Sequence, residues 1–574
     1  MCGIVGYVSR KEIPVVSIYQ GLKRLEYRGY DGWGLVYQKD KVLVLKKGSG
    51  KLGHKTVILP LSKLALGHTR WATHGGNSLV NNHPHIDCSK SIALVHNGVI
   101  ENYYQLKKEV INKKHHLTSE TDTELIAHLI EDQMLAGICF EDSVNNVFKR
   151  LEGFNALVVI EKSQEKIVAV KTGSPLIIGV TQDAFWVTSD INALSETKKI
   201  IALDDGELAI IEKNGLEVRR VTDGKVVQKK PIKIVGIKRD SQKGEFGSFL
   251  DKEINEQPEV LERIVKDDGK EIQKIISLAK RMQKVIVVGC GTSYHAGLIV
   301  SEKIISILGK WSIAVLASEF LSWLELIDKN TLVIAISQSG ETIDVIDSLI
   351  KAKQKGATIV SIVNTRNSSI QRLSSICQQL DCGSEISVAS TKSFIAQMAI
   401  FDKALGINIS QRSNTVTDIL KIRNRVDTLA KLTAHEKHLF ILGRGKMLPL
   451  AMEGALKLKE ICYIHAEGMA GGELKHGTLA LIEKGSICIV LVSDERKKEI
   501  ITSALEVKSR GARVIGIAKS SEEVFDIHLP LFGNRDDEQT EAVIWLQLLA
   551  SKIGRLKHLD VDMPRNLAKS VTVK

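Results

Sequence analysis

The sequence predicts an α/β chain: an N-terminal sandwich of antiparallel sheets, then two doubly wound parallel α/β units in tandem, then a short tail. Two observations carry this reading. Residues 2–228 are rich in short β-branched or alternating runs with few helical stretches between them, the pattern of stacked antiparallel sheets rather than of a βαβ series. Beyond them, three apolar strand signals recur at one spacing. Val285–Val288 leads into Gly289-Cys290-Gly291 as Leu439–Leu442 leads into Gly443-Arg444-Gly445. Val333–Ile336 answers to Ile487–Val490 and Val360–Val363 to Val514–Ile517, each pair 154 residues apart. Each strand is followed by a loop and a helical stretch, so the second half is a duplicated unit.

Length and composition narrow the function classes. A chain of 574 residues has room for three or four domains at about 100–200 residues each. The formal charge of +12 is spread over scattered lysines, and aromatic residues make up only 5%. That excludes a stacking platform for single-stranded nucleic acid and leaves a mild attraction for small anions. The eight cysteines include no C-x-x-C pair, so neither a zinc signature nor a disulfide framework is expected, and reduced thiols in a cytoplasmic setting fit best. No metal and no organic cofactor is expected. The N-terminus lacks the basic lead and apolar length of a signal peptide, Cys2 stands where myristoylation needs glycine, and no run approaches the ~20 apolar residues of a spanning helix. Neither a membrane nor a nucleic-acid partner is expected.

In chain order, the strand signals of the first half are Ile4–Val8, Lys41–Lys46, Ile92–His96, Asn155–Ile160 and Ile167–Val170, interrupted by helical stretches near Val15–Leu25 and Asp122–Asp132. Cys2 follows the initiator methionine. Exposed as the N-terminal residue it would carry a thiol and an α-amino group, with reference pKa values of about 8.5 and 8, so that one residue holds nucleophile and base. Polar clusters follow: 24–31, Gly67-His68-Thr69-Arg70-Trp71-Ala72-Thr73-His74-Gly75, His96-Asn97-Gly98, and Ser119-Glu120-Thr121-Asp122-Thr123-Glu124. Singly, Asn97-Gly98 reads as a turn and Ser119 or Thr121 as a helix N-cap.

Together and in this order, Cys-Gly-Ile-Val-Gly, Arg-Trp-Ala-Thr-His-Gly, His-Asn-Gly and Ser-Glu-Thr-Asp-Thr-Glu resemble the N-terminal-nucleophile glutamine amidotransferases. The resemblance implies a four-layer αββα fold over residues 2–228 that hydrolyses L-glutamine. It makes Cys2 the nucleophile, Asn97 and the Gly98 amide the oxyanion hole, Arg70 the partner of the substrate α-carboxylate, and Asp122 that of the α-ammonium, with Trp71, Thr73 and His74 lining the pocket. One departure is Asp31-Gly32-Trp33-Gly34, where relatives carry Ser and a small residue before the last glycine.

Residues 229–247 are basic and rich in Gly and Ser and read as a linker with some strand character. Residues 248–428 and 429–555 form the two repeats, and 556–574 the tail. The first repeat carries strand-end loops suited to phosphate: Gly289-Cys290-Gly291-Thr292-Ser293, Ser337-Gln338-Ser339-Gly340-Glu341-Thr342, and Val388-Ala389-Ser390-Thr391-Lys392. Small hydroxyl residues at a helix start expose amide N–H groups to an anion. The loops are neither a dinucleotide fingerprint nor a Walker loop. The second repeat has acids, Asp494 and Glu495, at the corresponding place.

These loops resemble the sugar isomerase (SIS) domains, and an N-terminal glutaminase followed by paired SIS domains resembles the glutamine–fructose-6-phosphate aminotransferases, with further matches at Glu453–Glu460, Gly472–Gly477 and Pro564–Val573. That resemblance implies glutamine-dependent conversion of D-fructose 6-phosphate to D-glucosamine 6-phosphate, the first step towards UDP-N-acetylglucosamine. It makes Lys569 the Schiff-base lysine, Glu460 the base that moves a proton between C1 and C2 with Lys457 assisting, and His476 the ring-opening group supplied by the second subunit of a homodimer. It assigns phosphate and sugar hydroxyls to Ser293, Ser337, Gln338, Ser339, Thr342, Val388, Ser390 and Ala568, and makes Trp71 the gate of an ammonia passage. Thr478 departs from the usual Pro after His-Gly. From the residues alone, Glu453, Lys457 and Glu460 at i, i+4 and i+7 also read as a solvated ion-pair ladder, and Lys569 as one cation of a loose terminus. The main rival reading is a phosphosugar-responsive regulator, which would need none of Glu460, His476 and Lys569; a rival among enzymes is another glutamine amidotransferase, such as those making phosphoribosylamine or asparagine, against which the repeated SIS half and the lack of an ATP or pyrophosphate loop argue.

Overall fold

A computed structural model describes residues 2–53, 57–194, 197, 199–233 and 243–572. The chain divides into two compact units, Met1–Lys238 with Ala568–Lys574, and Arg239–Leu567. The connector reading of 229–247 falls in part on residues 234–242, outside the described residues; before them Ile232–Lys233 forms a short strand.

In the first unit, an eight-stranded antiparallel sheet has Gly3–Pro14 near its middle, between Ala184–Thr188 and Leu61–Arg70. A six-stranded antiparallel sheet is centred on Asn155–Glu161 and Lys166–Thr172, with Ile92–Gly98 beside them. Side chains alternate across each strand, and the alternation sorts them into layers. Ile4, Val8, Leu64 and Leu66 meet Val95, Val158 and Ala169 between the sheets. Val5, Tyr7 and Leu35 face the other way, onto Ile18 and Leu22 of helix Val16–Arg24. Leu94, Val159 and Val168 pack on Leu125, Leu129, Val144 and Val147 of helices Thr123–Leu135 and Phe140–Phe148. The result is the expected αββα stack. Two helices, Tyr103–Asn112 and Phe140–Phe148, lie outside the expected helical stretches.

In the second unit the duplication is visible strand by strand. One five-stranded parallel sheet runs Ser312–Leu316, Lys284–Gly289, Thr331–Ser337, Thr358–Val363, Ile376–Gln379, and the other runs His465–Ala470, His438–Gly443, Ile487–Leu491, Arg513–Ala518, Ile527–Pro530. All pairings in both are parallel. Val285, Val287 and Ile334 of one sheet and Leu439, Ile441 and Ile489 of the other share a single core with Trp545, Leu546 and Leu549 of helix Glu538–Leu556. The opposite faces, Ile286 with Val333 and Leu442 with Val490, close separate outer cores.

A buried charge cluster ties helices of this core together. Arg412 is fully buried; its Nη1 donates to Asp402 at 2.7 Å and its Nε to Asp537 at 3.1 Å, while Lys303 also contacts Asp402. Burial alone would raise the Asp402 pKa, but Lys303 and Arg412 outweigh it and hold the carboxyl below its ordinary range. Removing one member of such a cluster leaves uncompensated buried charge. Arg412→Ala is therefore expected to lower the unfolding free energy by about 3–5 kcal/mol in a urea titration of the full chain; a loss below about 1 kcal/mol, the ceiling for an exposed pair, would contradict this account.

Candidate active sites

In the first unit the candidate site forms where the two sheets meet. Antiparallel register pairs Gly3 with Thr69, and the Gly3 amide donates to Thr69 Oγ1 at 2.9 Å. That pairing carries Cys2 to the end of strand Leu61–Arg70, where the Trp71 amide donates to Cys2 Sγ at 3.3 Å. From the second sheet, Asn97 Nδ2 donates to the Cys2 carbonyl at 2.9 Å. Asn97 and Gly98 end strand Ile92–Gly98, paired with Ala156 and Asn155, so they form no turn. A Cβ on Gly98 would lie 2.4 Å from His96 Nε2 and 2.6 Å from the Phe154 carbonyl, which leaves no space for a side chain.

Arg70 is buried, and its guanidinium donates to the carbonyls of His74, Gly75 and Gly76 at 2.7, 3.1 and 3.0 Å. The loop is held further by Asp31, which accepts from the Ala72 amide at 2.8 Å, and by Glu120, which accepts from Gly76 N–H at 3.1 Å. Burial lowers the Arg70 pKa, while Cys2, Asp31 and Asp122 act in the opposite sense. Asp122 directly precedes helix Thr123–Leu135 and accepts from the Ile100 amide at 2.9 Å. Ser119 does not cap that helix; it and Thr118 donate to Glu124 instead, at 2.7 and 2.6 Å. Thr73 is exposed, and His74 and Trp71 are half-buried.

The sequence reading passed over His68. Its Nε2 lies 3.2 Å from both the His96 carbonyl and Asn97 Oδ1. Both partners are acceptors, so Nε2 carries the proton, and this contact turns the Asn97 amide so that Nδ2 faces Cys2. Burial pulls the His68 pKa down to about 3, so the ring stays neutral. The sequence reading placed it only in a polar cluster; neither its strand, Leu61–Arg70, nor its inter-sheet partners were foreseen. The Trp33 departure is absorbed on the helix-facing side. The indole meets Tyr19 edge-on, with ring centroids 5.5 Å apart, opposite Gly48, whose absent Cβ would lie 2.4 Å from Trp33 Cε2.

In the second unit, Gly340 needs φ +66° and a Cβ there would lie 2.1 Å from Ser368 Oγ, so only glycine fits. The loop closes on itself: Gly340 N–H donates to Ser337 Oγ at 3.0 Å and Glu341 N–H to Ser339 Oγ at 3.2 Å, with Thr342 Oγ1 3.3 Å from Ser337 Oγ. Ser337, Gln338, Ser339 and Thr342 thus gather at the start of helix Ile343–Gln354. Ser293, on the first turn of helix Thr292–Leu308, accepts from Gln397 Nε2 at 3.1 Å. The third loop differs from expectation. It does not follow its strand directly, since residues 380–387 intervene, and the start of helix Lys392–Ala404 is capped by Glu385, which accepts from the Thr391 and Ser393 amides at 3.0 and 3.1 Å. Val388 N–H donates to the Asp562 carbonyl at 2.9 Å, and Ser390 is half-buried.

Glu453, Lys457 and Glu460 share one face of helix Leu448–Cys462, but not as a solvated ladder. Glu453 and Lys457 are 0% exposed. Lys457 Nζ lies 2.8 Å from Glu460 Oε2 and 3.4 Å from Glu453 Oε1 and donates to Thr292 Oγ1 at 3.1 Å. Thr292 Oγ1 is 3.0 Å from Glu453 Oε1, and His295 Nδ1 is 2.7 Å from Glu453 Oε2. Residues of both repeats therefore meet in one buried network. His476 is exposed at the end of the 3-10 turn Gly471–His476; Gly477 follows at φ +146°, and Thr478 opens a second turn, Thr478–Leu481. The tail is anchored at its root: Arg565 N–H donates to the Tyr463 hydroxyl at 2.7 Å and its guanidinium lies 4.4 Å over that ring. Ala568 and half-buried Lys569 belong to the first unit, where Ser174 Oγ donates to the Thr572 carbonyl at 2.9 Å.

Comparison with known proteins agrees with both halves. The glutamine amidotransferase domain model matches residues 68–196, and the SIS domain model matches 277–405 and 432–525. The C-terminal domain of glucosamine-fructose-6-phosphate aminotransferase from Francisella tularensis superposes with TM-score 0.51 at 32% identity, covering 56% of this chain and 100% of that one. The glutamine–fructose-6-phosphate aminotransferases (isomerizing) of Thermococcus kodakarensis and Pyrococcus horikoshii are 37% and 38% identical to this chain, over 100% of each protein. That of Clostridium acetobutylicum is 38% identical over the same full coverage. The chain belongs to the glutamine–fructose-6-phosphate aminotransferase (isomerizing) family.

Proposed function

We propose that the chain hydrolyses L-glutamine at Cys2 and uses the ammonia to convert D-fructose 6-phosphate into D-glucosamine 6-phosphate. The observation that carries the reading is that one chain, aligned end to end with aminotransferases of that name, holds both an assembled Cys2–Trp71–Asn97 cluster and a buried Glu453–Lys457–Glu460 network.

At the first site, removal of Met1 frees the Cys2 α-amine to take the thiol proton. The thiolate attacks the glutamine amide, and Asn97 Nδ2 and the Gly98 amide donate to the oxyanion, each such donor contributing about 3–4 kcal/mol. Ammonia leaves, and water releases glutamate from the thioester. Arg70 holds the substrate carboxylate, as a guanidinium fork does, Asp122 holds the ammonium, and Thr73 and His74 complete the pocket. Trp71 gates ammonia, which must stay unprotonated to act as a nucleophile.

At the second site, Ser337, Gln338, Ser339 and Thr342 hold the phosphate, with Ser293, Val388, Ser390 and Ala568 around the sugar. His476 from a second copy of the chain opens the ring, consistent with its exposure, and the working enzyme is then a homodimer. Lys569 condenses with the C2 ketone, ammonia displaces it, and Glu460 moves the proton between C1 and C2. Burial lowers the Lys457 pKa, but Glu453 and Glu460 more than reverse this and raise it above the ordinary lysine range. Lys457 therefore stays charged and orients Glu460 rather than acting as a base. No described helix is long and apolar enough to cross a membrane, and a cytoplasmic location suits these substrates.

The direct test supplies glutamine and fructose 6-phosphate and expects glutamate and glucosamine 6-phosphate in equal amounts; glutamate without amino sugar would refute the coupling. Cys2→Ala should abolish glutamine-dependent synthesis, a loss of more than about 1,000-fold for a removed nucleophile, while sparing sugar-phosphate isomerisation. Lys569→Ala should do the reverse, stopping the sugar chemistry while glutamine hydrolysis persists. Mass spectrometry should find the active protein without Met1.

A pH test addresses the buried network. Burial raises the Glu453 pKa, but Lys457, His295 and Thr292 outweigh it and hold the carboxyl below the ordinary glutamate range. A depressed carboxylate stabilises the fold above its unfolded pKa and loses that contribution as pH falls through the folded one. Glu453→Gln should cost about 3 kcal/mol at pH 7, and the gap to wild type should narrow on acidification below about pH 4. A gap that stays constant down to pH 3 would be the contrary result.

A further inference from the structure

We propose that Cys88, His115, His128 and Glu131 bind a zinc ion that ties together three segments of the glutaminase unit. One donor atom from each of these residues lies within 4.8 Å of every other. Cys88 Sγ is 3.5 Å from His115 Nδ1 and 3.5 Å from His128 Nδ1. Glu131 Oε2 is 3.4 Å from His115 Nδ1 and 3.6 Å from His128 Nδ1. Zinc bonds of about 2.0–2.3 Å at tetrahedral angles place neighbouring ligand atoms about 3.3–3.6 Å apart. The four separations fit that range without movement of the backbone. One thiol, two imidazoles and one carboxylate are also donors that zinc accepts together.

The surroundings orient these donors as ligands. His115 Nε2 lies 3.0 Å from Asp132 Oδ1; it donates there and leaves the Nδ1 lone pair facing the cluster. His128 is almost fully buried, and its Nε2 faces the Glu124 carboxylate at 3.9 Å. A carboxylate hydrogen-bonded behind the ring, as Asp132 is behind His115, is the usual support for a metal-bound imidazole; at 3.9 Å Glu124 makes no hydrogen bond to His128 Nε2. Glu131 is fixed by the Cys88 and Ser89 amides, at 3.2 and 2.9 Å. Cys88 is exposed, which opens one side of the cluster to an entering ion.

Four protein donors close the coordination sphere, so the ion is structural rather than catalytic. Cys88 lies in the hairpin between His85–Ile86 and Ile92–Gly98, His115 in the loop after helix Tyr103–Asn112, and His128 with Glu131 on helix Thr123–Leu135. The clip joins the hairpin that leads to Asn97 with the helix that Asp122 directly precedes. It is separate from the glutamine pocket and does not depend on the reaction proposed above.

The test loads the full-length protein with Zn(II), removes the excess by gel filtration and measures bound metal, then repeats the loading with Co(II) to read the ligand field. One equivalent per chain is expected, with the intense visible bands of tetrahedral Co(II) and a thiolate-to-metal charge-transfer band. Cys88→Ser, at an exposed position, should fold, lose the charge-transfer band and weaken Zn(II) retention at least tenfold, whereas Cys139→Ser should leave both unchanged. Less than half an equivalent of zinc on the wild type, a six-coordinate cobalt spectrum, or retention unaffected by Cys88→Ser would each overturn the proposal.

Discussion

The second unit depends on a buried ion pair that could not exist alone. Glu453 and Lys457 are removed from water on one helix, and two bare charges in such a place would cost several kcal/mol each. They persist because each is satisfied from another element: Glu453 by Thr292 and His295 of the first repeat, Lys457 by Glu453, Glu460 and Thr292. The network locks helix Leu448–Cys462 of the second repeat onto helix Thr292–Leu308 of the first. It also leaves Glu460, the half-exposed member, held in one orientation by a lysine that cannot lose its charge at neutral pH.

The glutaminase unit solves a similar problem with neutral groups. The carbonyl and sulfur of Cys2 are both engaged, one by a side chain from the facing sheet and the other by the Trp71 amide just past the end of the neighbouring strand. A neutral, buried His68 orients the asparagine between them. Tight register and absent side chains do the positioning. Gly3 and Gly98 sit where a Cβ would collide with Leu25 and Thr69 in one case and with His96 and Asn155 in the other, so neither position has room for a side chain.

Periodicity made much of the fold legible. The 154-residue offset predicted two doubly wound parallel units, and the strand ranges bear it out, because a buried parallel strand needs a continuous apolar run that survives duplication; the strand order the two sheets share came from the structure. The helix Tyr103–Asn112 escaped notice because it buries only Leu106 and Val110, too few for a clear apolar stripe. The turn reading of Asn97-Gly98 failed because a dipeptide preference is weak beside pairing along a whole strand edge.

The sequence by itself determined the chemistry available: the Cys2 start, the ordered polar clusters of the first half, the hydroxyl-rich loop at Ser337–Thr342, and the repeat that carries it. Only the tertiary structure decided which of these groups are neighbours and which are dry. It made Glu453–Lys457 a buried network where spacing allowed a solvated ladder. It gave the third polar loop's helix its own carboxylate cap. It gathered Cys88, His115, His128 and Glu131, whose spacing matches no metal motif, into one cluster. The physical reason is common to all three: burial, charge pairing and ligand geometry depend on distances between segments far apart in the chain, which local sequence patterns do not encode.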